Sequence, residues 1–362
     1  MENNYCIIMA GGIGSRFWPI SKSSKPKQFL DILGIGRTFI QLTFDRFRKI
    51  IPIENLFVVT SIDYKQLVLE QLPELAENQI LLEPIRRNTA PCIAYACSKI
   101  KTINSDANII VAPSDHLILK EDEFIYQIQN GLDFVSKNEV LLTLGITPSR
   151  PETGYGYIQI DNLPEQMDLE NLHKVKTFTE KPDLKMAELF VSSGEFFWNS
   201  GIFIWSLNAI MAAFDKHLEE VSALFKKGEK LYGTVDESAF LNKTYSECQN
   251  ISIDYGIMEK AENVYVLCAD FGWSDLGTWG SLYENKQKDK SANAISGKHV
   301  LTYNTKNCIV DFPDDKLVVL QGLEGYVVVE SEGTLMVCRL EDEQQIRQFV
   351  NDVRMSMGEK YV

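Results

Sequence analysis

A chain of 362 residues, 45% apolar and 24% charged, predicts a globular protein with one large domain and one smaller domain. The formal net charge of −14 weighs against nucleic-acid and membrane partners, since both need a broad basic face. No segment approaches the roughly 20 apolar residues of a membrane span, and the seven cysteines form no CxxC pair. We therefore expect a reduced, cytoplasmic protein.

The first predicted strand, “YCIIMA”, leads into a glycine-rich loop that is basic although the chain is acidic. Four basic residues and no acidic residue occur between Ala10 and Leu30, namely Arg16, Lys22, Lys25 and Lys27. The amides of Gly11, Gly12 and Gly14 are suited to ring phosphate oxygens, because glycine lets the backbone approach a ligand closely. The loop therefore predicts a site for a small polyanion, and the alternative is a solvated loop.

Beyond this loop, the first half of the chain alternates β-like and helix-like stretches. Short apolar runs rich in β-branched residues include “NLFVVT”, “QILLE”, “NIIVAPSD” and “EVLLTLG”. Between them, “DYKQLVLEQL” and “EFIYQIQNGLDFVSK” place apolar residues at three- and four-residue spacing. The alternation predicts an α/β fold: a Rossmann-like mixed, mostly parallel sheet with helices on both faces, whose ligands bind at the carboxyl ends of strands.

The second half begins as an elaboration of the same domain, with short strands and helices from Gly154 to about Leu282. The polar stretch “ENKQKDKSANA” then indicates a linker. Closely spaced strands such as “KLVVLQG”, “GYVVVESEG” and “TLMVCRL” follow, with a terminal helix in “DEQQIRQFVNDVR”. We predict a catalytic domain at residues 1–284 and a small β domain with a terminal helix at 285–362.

Two aspartates lie in segments suited to a divalent cation. Asp115 ends a predicted strand in “VAPSDH”, and Asp275 lies in “FGWSDLGTW”. Mg²⁺ prefers hard oxygen ligands, and one or two carboxylates together with substrate phosphates are enough to bind it. If both segments face one cleft, the two aspartates can share an ion; the alternative is that each is a turn or cap residue.

Glu83 follows “QILL” and is a candidate for base recognition. A carboxylate only accepts hydrogen bonds, and guanine offers two adjacent donors, N1–H and the exocyclic amine, whereas N1 of adenine is an acceptor. The alternative is a salt bridge from Glu83 to Arg86 or Arg87, and the sequence leaves the two about equal.

Sugar-binding chemistry is indicated by Glu180 and Lys181 in “TEKP”, by Asn199 in “WNSGIF” and by Gly156 in “TGYGYI”. A carboxylate, an amine and an amide offer both acceptors and donors to hydroxyl groups, and the amine of Lys181 can also meet an anomeric phosphate. The alternative is that “TEKP” is a surface turn.

Together these segments resemble the mannose-1-phosphate guanylyltransferase family, within the sugar-1-phosphate nucleotidyltransferase superfamily. The matching runs follow the family's order over residues 5–280 and are “AGGIGSRFWPISKSSKPKQF”, “EPIRRNTAPCIA”, “PSDH”, “TGYGYI”, “FTEKP”, “WNSGIF”, “SIDYGIMEK” and “WSDLGTW”. The segment “GLEGYVVVESEGTLMV” looks like the family's short C-terminal β-helix-like domain, which commonly packs between subunits. The resemblance therefore also implies a homodimer formed through this domain.

The resemblance implies transfer of GMP from GTP to α-D-mannose 1-phosphate, giving GDP-mannose and pyrophosphate, with Mg²⁺ as the cofactor on Asp115 and Asp275. The catalytic residues it implies are Arg16, Lys27, Asp115 and Lys181. The nucleotide-binding residues it implies are Ala10, Gly11, Gly12, Gly14, Ser15, Arg16, Glu83, Asn88, Thr89, Ala90, Pro113 and Asp115. The sugar-binding residues it implies are Gly156, Glu180, Lys181 and Asn199.

Three alternatives remain beside this interpretation. The nearest is the same chemistry on another sugar 1-phosphate or another nucleotide. A sensing or scaffold protein that lost catalysis is disfavoured because Lys27 and both aspartates are present. A dinucleotide-dependent oxidoreductase is disfavoured because Phe17 stands where the fingerprint needs a third glycine. The four scattered histidines also do not form the cluster of a metal-dependent isomerase, so we expect guanylyltransferase activity only.

Overall fold

The computed structural model describes residues 2–161, 169 and 171–362. These residues form two compact units. Unit 1 comprises Met1–Gly11, Thr43–Ser114 and Ile118–Trp273, and unit 2 comprises Gly12–Leu42, Asp115–Leu117 and Ser274–Val362. The boundary expected between residues 284 and 285 stays a prediction.

The strands and α-helices of the described residues are numbered here in chain order, and they alternate through the first half of the chain. The strands are β1 (Asn4–Met9), β2 (Leu56–Ser61), β3 (Ile80–Glu83), β4 (Asn108–Pro113), β5 (Leu117–Ile118), β6 (Leu141–Ile146), β7 (Gly156–Ile160), β8 (Leu172–Glu180), β9 (Phe196–Ser206), β10 (Val264–Cys268), β11 (Trp273–Ser274), β12 (Ala294–Ser296), β13 (Val300–Tyr303), β14 (Ile309–Asp311), β15 (Val318–Gln321), β16 (Tyr326–Ser331) and β17 (Thr334–Arg339). The α-helices are α1 (Phe39–Phe47), α2 (Lys65–Gln71), α3 (Thr89–Lys101), α4 (Glu121–Val135), α5 (Leu184–Ser193), α6 (Leu207–His217), α7 (Glu219–Lys226), α8 (Glu237–Glu247), α9 (Trp279–Asn285) and α10 (Ile346–Met357).

Unit 1 is built on a nine-stranded mixed sheet in the order β3-β2-β1-β4-β9-β6-β10-β8-β7. The pairs β2–β3, β1–β2, β1–β4 and β6–β10 are parallel, whereas β8 and β9 run opposite to the other seven strands. Strands β2 and β6 are buried along their whole length, as expected where helices cover a parallel sheet. The predicted α/β fold with a mixed sheet is confirmed, and seven of the nine strands run in one direction.

The register of this sheet gathers several predicted ligand residues at one edge. Met9, the last residue of β1, pairs with Pro113 on β4 and with Val59 on β2, and Ser61 pairs with Glu83 on β3. Because these four strands are parallel, their carboxyl ends lie on the same side of the sheet. The first residues of the glycine loop, Glu83 and Pro113 therefore share the edge at which such sheets bind ligands.

Unit 2 joins the glycine-rich loop to the C-terminal strands and α10. Strands β12, β14 and β16 pair in parallel, β13 pairs in parallel with β15, and β17 closes the larger sheet antiparallel to β16. Its core contains Phe17 and Trp18 from the loop together with Ile346 and Val350 from α10. Successive short strands in parallel register agree with the expected β-helix-like arrangement.

In residues 2–161, 169 and 171–362, no helix combines the length and the apolar character that a membrane crossing requires.

Candidate active site

The glycine loop turns sharply at Gly14, which has φ of +70° and precedes a short 3₁₀ turn over Ser15–Phe17. A Cβ at Gly14 would lie 2.4 Å from Cβ of Lys27, so only glycine fits without displacing that lysine. The carbonyl oxygen of Gly12 accepts from Gln28 Nε2 at 2.9 Å, and that of Ile13 accepts from Lys27 N at 3.2 Å.

The N–H groups of this turn are its ligand-binding feature. Those of Gly12, Ile13 and Gly14 have no acceptor among the described residues, while the carbonyl oxygens of Gly12 and Ile13 are held by the protein. Successive N–H groups around a left-handed residue form an anion-binding concavity. The turn can therefore bind phosphate oxygens, as the sequence predicts.

Lys27 is a deeply buried cation of unit 2, with a relative exposure of 2%. Its ammonium donates to the backbone oxygens of Asp115 and Asp275, at 2.9 and 2.7 Å, and forms an ion pair with Asp115 Oδ2 at 3.0 Å. An ammonium has three donors, and these acceptors use all three. Lys27 therefore ties together the two aspartates that the sequence singled out as metal ligands.

The electrostatics of this group keep Asp115 ionised. Burial alone would raise the pKa of its carboxyl, but the charges of Lys27 and His116 and the hydrogen bond from Lys27 outweigh burial and lower the pKa below its ordinary value. Asp275 Oδ1 accepts from the N–H of Gly277 at 2.8 Å. The carboxylate of Asp115 and the backbone of Asp275 meet at one ammonium, and carboxylate oxygens are the hard ligands that a divalent cation prefers. The part of the chain that the structure describes contains no group of three or more His, Cys, Asp or Glu side chains placed to hold a metal by themselves.

Arg16, on the same loop as Lys27, is the second cation that the sequence predicts for the phosphate site. Its side chain is partly buried, and its Nε has no hydrogen-bond partner among the described residues. Ser15, next to it, lines a cavity of about 210 Å³ within unit 2. A buried unpaired guanidinium donor is costly unless a ligand accepts its hydrogen bond.

Glu83, in unit 1, is held by Tyr245 rather than by an arginine. The hydroxyl of Tyr245 donates to Glu83 Oε1 at 3.1 Å, whereas Arg86 donates to the hydroxyl of Tyr64 and Arg87 to the backbone oxygen of Tyr245. The salt bridge considered from the sequence is therefore absent from the described residues. Burial raises the pKa of Glu83 to about 7, against the smaller lowering effects of Tyr245 and Arg86.

Glu83 also lies beside the start of the glycine loop. A Cβ at Gly11 would meet Glu83 Oε2 at 3.3 Å, so the backbone of Gly11 closely approaches this carboxylate. Next to them, Ala10 has both backbone groups engaged: its N–H donates to the oxygen of Val59 and its oxygen accepts from Thr60. Ala10 can thus contribute shape rather than hydrogen bonds.

The “RNTAP” turn forms the amino end of α3 and is tied to another segment. Asn88 has φ of +68° and caps the helix by accepting from Thr89 N at 2.9 Å. The N–H of Ala90 donates to the oxygen of Ile251, and Thr89 Oγ1 accepts from the N–H of Ile253 at 2.8 Å. These bonds rigidify the turn, which leaves the side chain of Asn88 as its most available polar group.

The four predicted sugar residues lie together in unit 1. Gly156 and Glu180 are cross-strand partners, and a Cβ at Gly156 would lie 2.4 Å from Glu180 Oε2, so only glycine leaves room for this carboxylate. Asn199 has its Cβ 3.3 Å from the same position. The ammonium of Lys181 pairs with Glu180 Oε1. Carboxylate, ammonium and amide therefore surround one glycine.

Asp254 is a polar residue of this cluster that the sequence reasoning missed. It is partly buried at the start of a π-helical turn over Asp254–Met258, and its Oδ1 accepts from Asn199 Nδ2 at 2.9 Å. Burial, then the charge of Glu180, raise the pKa of Asp254 to about 7. The signal in the sequence is the run “SIDYGIMEK”, which indicates the family without marking Asp254 as a ligand. π-Helical turns often occur at functional sites.

Comparisons with known proteins cover nearly the whole chain. Residues 5–292 match a family model described as nucleotidyl transferase, and residues 297–353 match one described as MannoseP isomerase/GMP-like beta-helix domain. A mannose-1-phosphate guanylyltransferase of Escherichia coli is 32% identical over 97% of this chain and 75% of its own length. One of Sinorhizobium fredii is 35% identical over 95% of this chain and 66% of its own length. A solved structure named mannose-1-phosphate geranyltransferase, from Thermus thermophilus, is 27% identical with a TM-score of 0.86 and covers 97% of this chain and 99% of that chain.

Proposed function

We propose that this chain, which belongs to the nucleotidyl transferase family, transfers GMP from GTP to α-D-mannose 1-phosphate, forming GDP-mannose and pyrophosphate. The observation that carries the proposal is the buried Lys27 ammonium, which holds Asp115 and Asp275 next to a glycine turn with free N–H groups. This arrangement suits a substrate with several phosphates, and the names of the relatives supply the choice of guanine and mannose.

The phosphates of GTP are assigned to the glycine turn. The N–H groups of Gly12 and Gly14 would donate to phosphate oxygens, and Arg16 would use its unpaired guanidinium donors. Because the three donors of Lys27 are already bound to protein, its part is to supply positive charge and to hold the two aspartates in place. Both effects lower the energy of a transition state in which negative charge grows on leaving oxygens.

Asp115 and Asp275 are the residues that would hold Mg²⁺. The ionised state of Asp115 and the shared contact of both aspartates with Lys27 fit such an ion. When bound, Mg²⁺ supplies neutralisation of phosphate charge. The rest of the charge stabilisation comes from Arg16 and Lys27.

The guanine base is assigned to Glu83 and the Asn88–Ala90 turn. An ionised Glu83 accepts two hydrogen bonds from N1–H and the exocyclic amine of guanine, and adenine offers no such pair. Tyr245 fixes the orientation of this carboxylate through Oε1. A Cβ at Gly11 would lie 3.3 Å from Oε2, so a side chain at this position would crowd the carboxylate.

The mannose hydroxyls are assigned to Glu180 and Asn199 beside Gly156, with Asp254 orienting the amide of Asn199. Lys181 is assigned to the phosphate of the sugar, because its side chain is 58% exposed and pairs only with the neighbouring Glu180 among the described residues. An incoming phosphate would then share or replace this intrachain partner.

The reaction these residues support is an in-line displacement. An oxygen of the sugar phosphate attacks the α-phosphorus of GTP, and the bond from that phosphorus to the bridging oxygen of the β-phosphate breaks, so that pyrophosphate departs with the electron pair. The attacking oxygen is already ionised near neutral pH, so no general base is needed. Positioning and charge stabilisation account for the rate, as in other phosphoryl transfers.

A pyrophosphate-release assay with purified protein and Mg²⁺ tests this assignment. GTP with mannose 1-phosphate is expected to give the highest kcat/KM among a panel of nucleoside triphosphates and sugar 1-phosphates. A higher kcat/KM for another pair would replace the substrates and keep the chemistry. No release with any pair, while the protein is folded, would contradict the assignment as a nucleotidyltransferase.

We also propose that two copies associate through the C-terminal strands, as the sequence led us to expect. Leu301 and Val319 are cross-strand neighbours on β13 and β15, and both are about half exposed, as is Tyr303. Such a contiguous apolar strip on strands suits a second copy of the chain. Light scattering should give a dimer that Val319→Lys dissociates, and a monomeric wild-type protein at micromolar concentration would contradict this interface.

A further inference from the structure

A pair of like charges occurs where the glycine loop meets α10 in unit 2. The Nε of Arg16 is buried without a hydrogen-bond partner, and Arg347 on α10 forms no ion pair with any carboxylate of the described residues. Burial, then the charge of Arg16, lower the pKa of Arg347. Arg347 is exposed to solvent, whereas Nε of Arg16 is a buried donor without an acceptor, so an anion bound by both groups would reduce their repulsion and satisfy Arg16.

The packing of α10 holds this pair together. Phe17 and Trp18, which follow Arg16 directly, share a core cluster with Ile346 and Val350, which flank Arg347. The indole N–H of Trp18 donates to the backbone oxygen of Tyr361 at 2.7 Å. Apolar packing on both chain segments therefore brings the backbone of Arg16 and that of Arg347 into one part of unit 2.

Arg347 also opens onto the cavity of about 210 Å³ that Ser15 lines. Two other cations line this cavity, but each already has an acidic partner: Lys22 pairs with Glu332 at 2.9 Å, and Arg354 pairs with Glu359 at 3.0 Å. Arg347 is thus the lining cation that lacks an anion within the described residues. The cavity is smaller than a site for a drug-sized ligand and suits a compact anion.

We propose that Arg347, together with Arg16, binds the terminal phosphates of the nucleoside triphosphate and the pyrophosphate that leaves. The inference rests on the proposed function and adds to it a residue from the C-terminal helix. Two forked guanidinium groups match the several oxygens of a diphosphate, and the phosphate-binding N–H groups of the glycine turn lie on the same loop as Arg16. A nucleic-acid polymer is a poor match for a chain with a net charge of −14.

The test compares Arg347→Gln with the wild type and with Arg347→Lys. We expect Arg347→Gln to raise the KM for GTP and the inhibition constant of inorganic pyrophosphate by about tenfold or more, the effect of losing a charge-assisted hydrogen bond. The KM for mannose 1-phosphate and inhibition by GDP-mannose should stay within about twofold, because neither ligand carries the terminal phosphates. Arg347→Lys should recover part of the loss. Arg339→Gln removes an exposed arginine of the same unit, paired with Glu341 at 2.9 Å, and serves as the matched control.

Two results would overturn this inference while leaving the proposed function standing: an Arg347→Gln protein with unchanged GTP and pyrophosphate constants, or equal losses for all four ligands, which would indicate a purely structural role. If the wild type shows no guanylyltransferase activity, calorimetric titration of inorganic pyrophosphate into wild type and Arg347→Gln still decides whether the arginine binds this anion. If Arg347→Gln does not fold, the same titration of Arg347→Lys decides, since a point charge should bind pyrophosphate more weakly than the guanidinium.

Discussion

Replacing Lys27 with methionine tests the centre of the phosphate site. The change removes the ammonium and keeps an unbranched apolar stem between the rings of Phe17 and Phe39, whose centroids lie 5.7 and 5.1 Å from Nζ. It leaves the backbone oxygens of Asp115 and Asp275 without their donor and Asp115 Oδ2 without its ion pair. Breaking a buried pair costs about 3–5 kcal/mol. Because Asp115 is about one-third exposed, the lower end applies, and we expect about 3 kcal/mol less unfolding free energy.

The same variant should lose about 10²-fold or more in turnover, the usual effect of removing one donor or charge that stabilises a transition state. Urea unfolding monitored by fluorescence measures the stability change, and pyrophosphate release at saturating substrate measures turnover. Lys25→Met is the matched control, because Lys25 is exposed on the same loop. Wild-type turnover in a folded Lys27→Met protein would refute the role of this ammonium. A large loss of turnover with unchanged stability would instead refute its structural tie to the aspartates.

Three further predictions concern Asp275, Glu83 and Gly14. Asp275→Asn should shift the Mg²⁺ titration of activity to higher concentration by about tenfold, and an unchanged titration would remove Asp275 from the metal site. Because burial raises the pKa of Glu83 to about 7 from the ordinary 4.5, the folded chain keeps a proton that the unfolded chain releases between those values. The free energy of unfolding, measured with urea, should therefore fall as pH rises through this window. The KM for GTP, measured from initial rates, should fall as the carboxylate ionises above about pH 7. Glu83→Gln should make both quantities nearly independent of pH over this range. Gly14→Ala should lose about 1–3 kcal/mol of unfolding free energy, because φ is +70° and the new Cβ would meet Lys27. Gly12→Ala meets nothing within 4 Å and is its control, and equal stability of the two variants would contradict the argument.

The sequence was sufficient to predict the fold and the family. Alternating β-like and helix-like periodicity predicted the α/β sheet, and the ordered motifs predicted the family; both predictions are confirmed. The sequence also singled out Lys27, Asp115 and Asp275, and the structure brings these three residues together. Each residue could be selected from its own motif, but their meeting joins positions 88 and 248 residues apart and is seen only in the structure. The roles of these residues and the cytoplasmic location stay predictions.

The residues that the sequence missed act through contacts between distant segments. Tyr245 decides that Glu83 is not paired with Arg86 or Arg87, yet it lies 162 positions from Glu83. Asp254 lies on a π-helical turn, which has no recognisable periodicity, and its carboxylate reaches the amide of Asn199. No spacing rule links such pairs, because they meet only after the sheet has formed.

Ionisable groups without a neighbouring opposite charge indicate ligand binding more clearly than paired groups do. In unit 2, the charge of Arg16 lowers the pKa of Arg347, and neither guanidinium has an anionic partner among the described residues. In unit 1, the charge of Glu180 raises the pKa of both Asp254 and Glu259 beyond what burial does alone. Like charges placed close together lower the free energy of unfolding, and such groups cluster at ligand-binding sites. Cations without partners match the phosphates of a nucleotide, and carboxylates that share a site match the hydroxyl donors of a sugar. Replacing either cluster with neutral side chains should therefore raise stability while weakening binding, which is the opposite of the result expected for Lys27→Met.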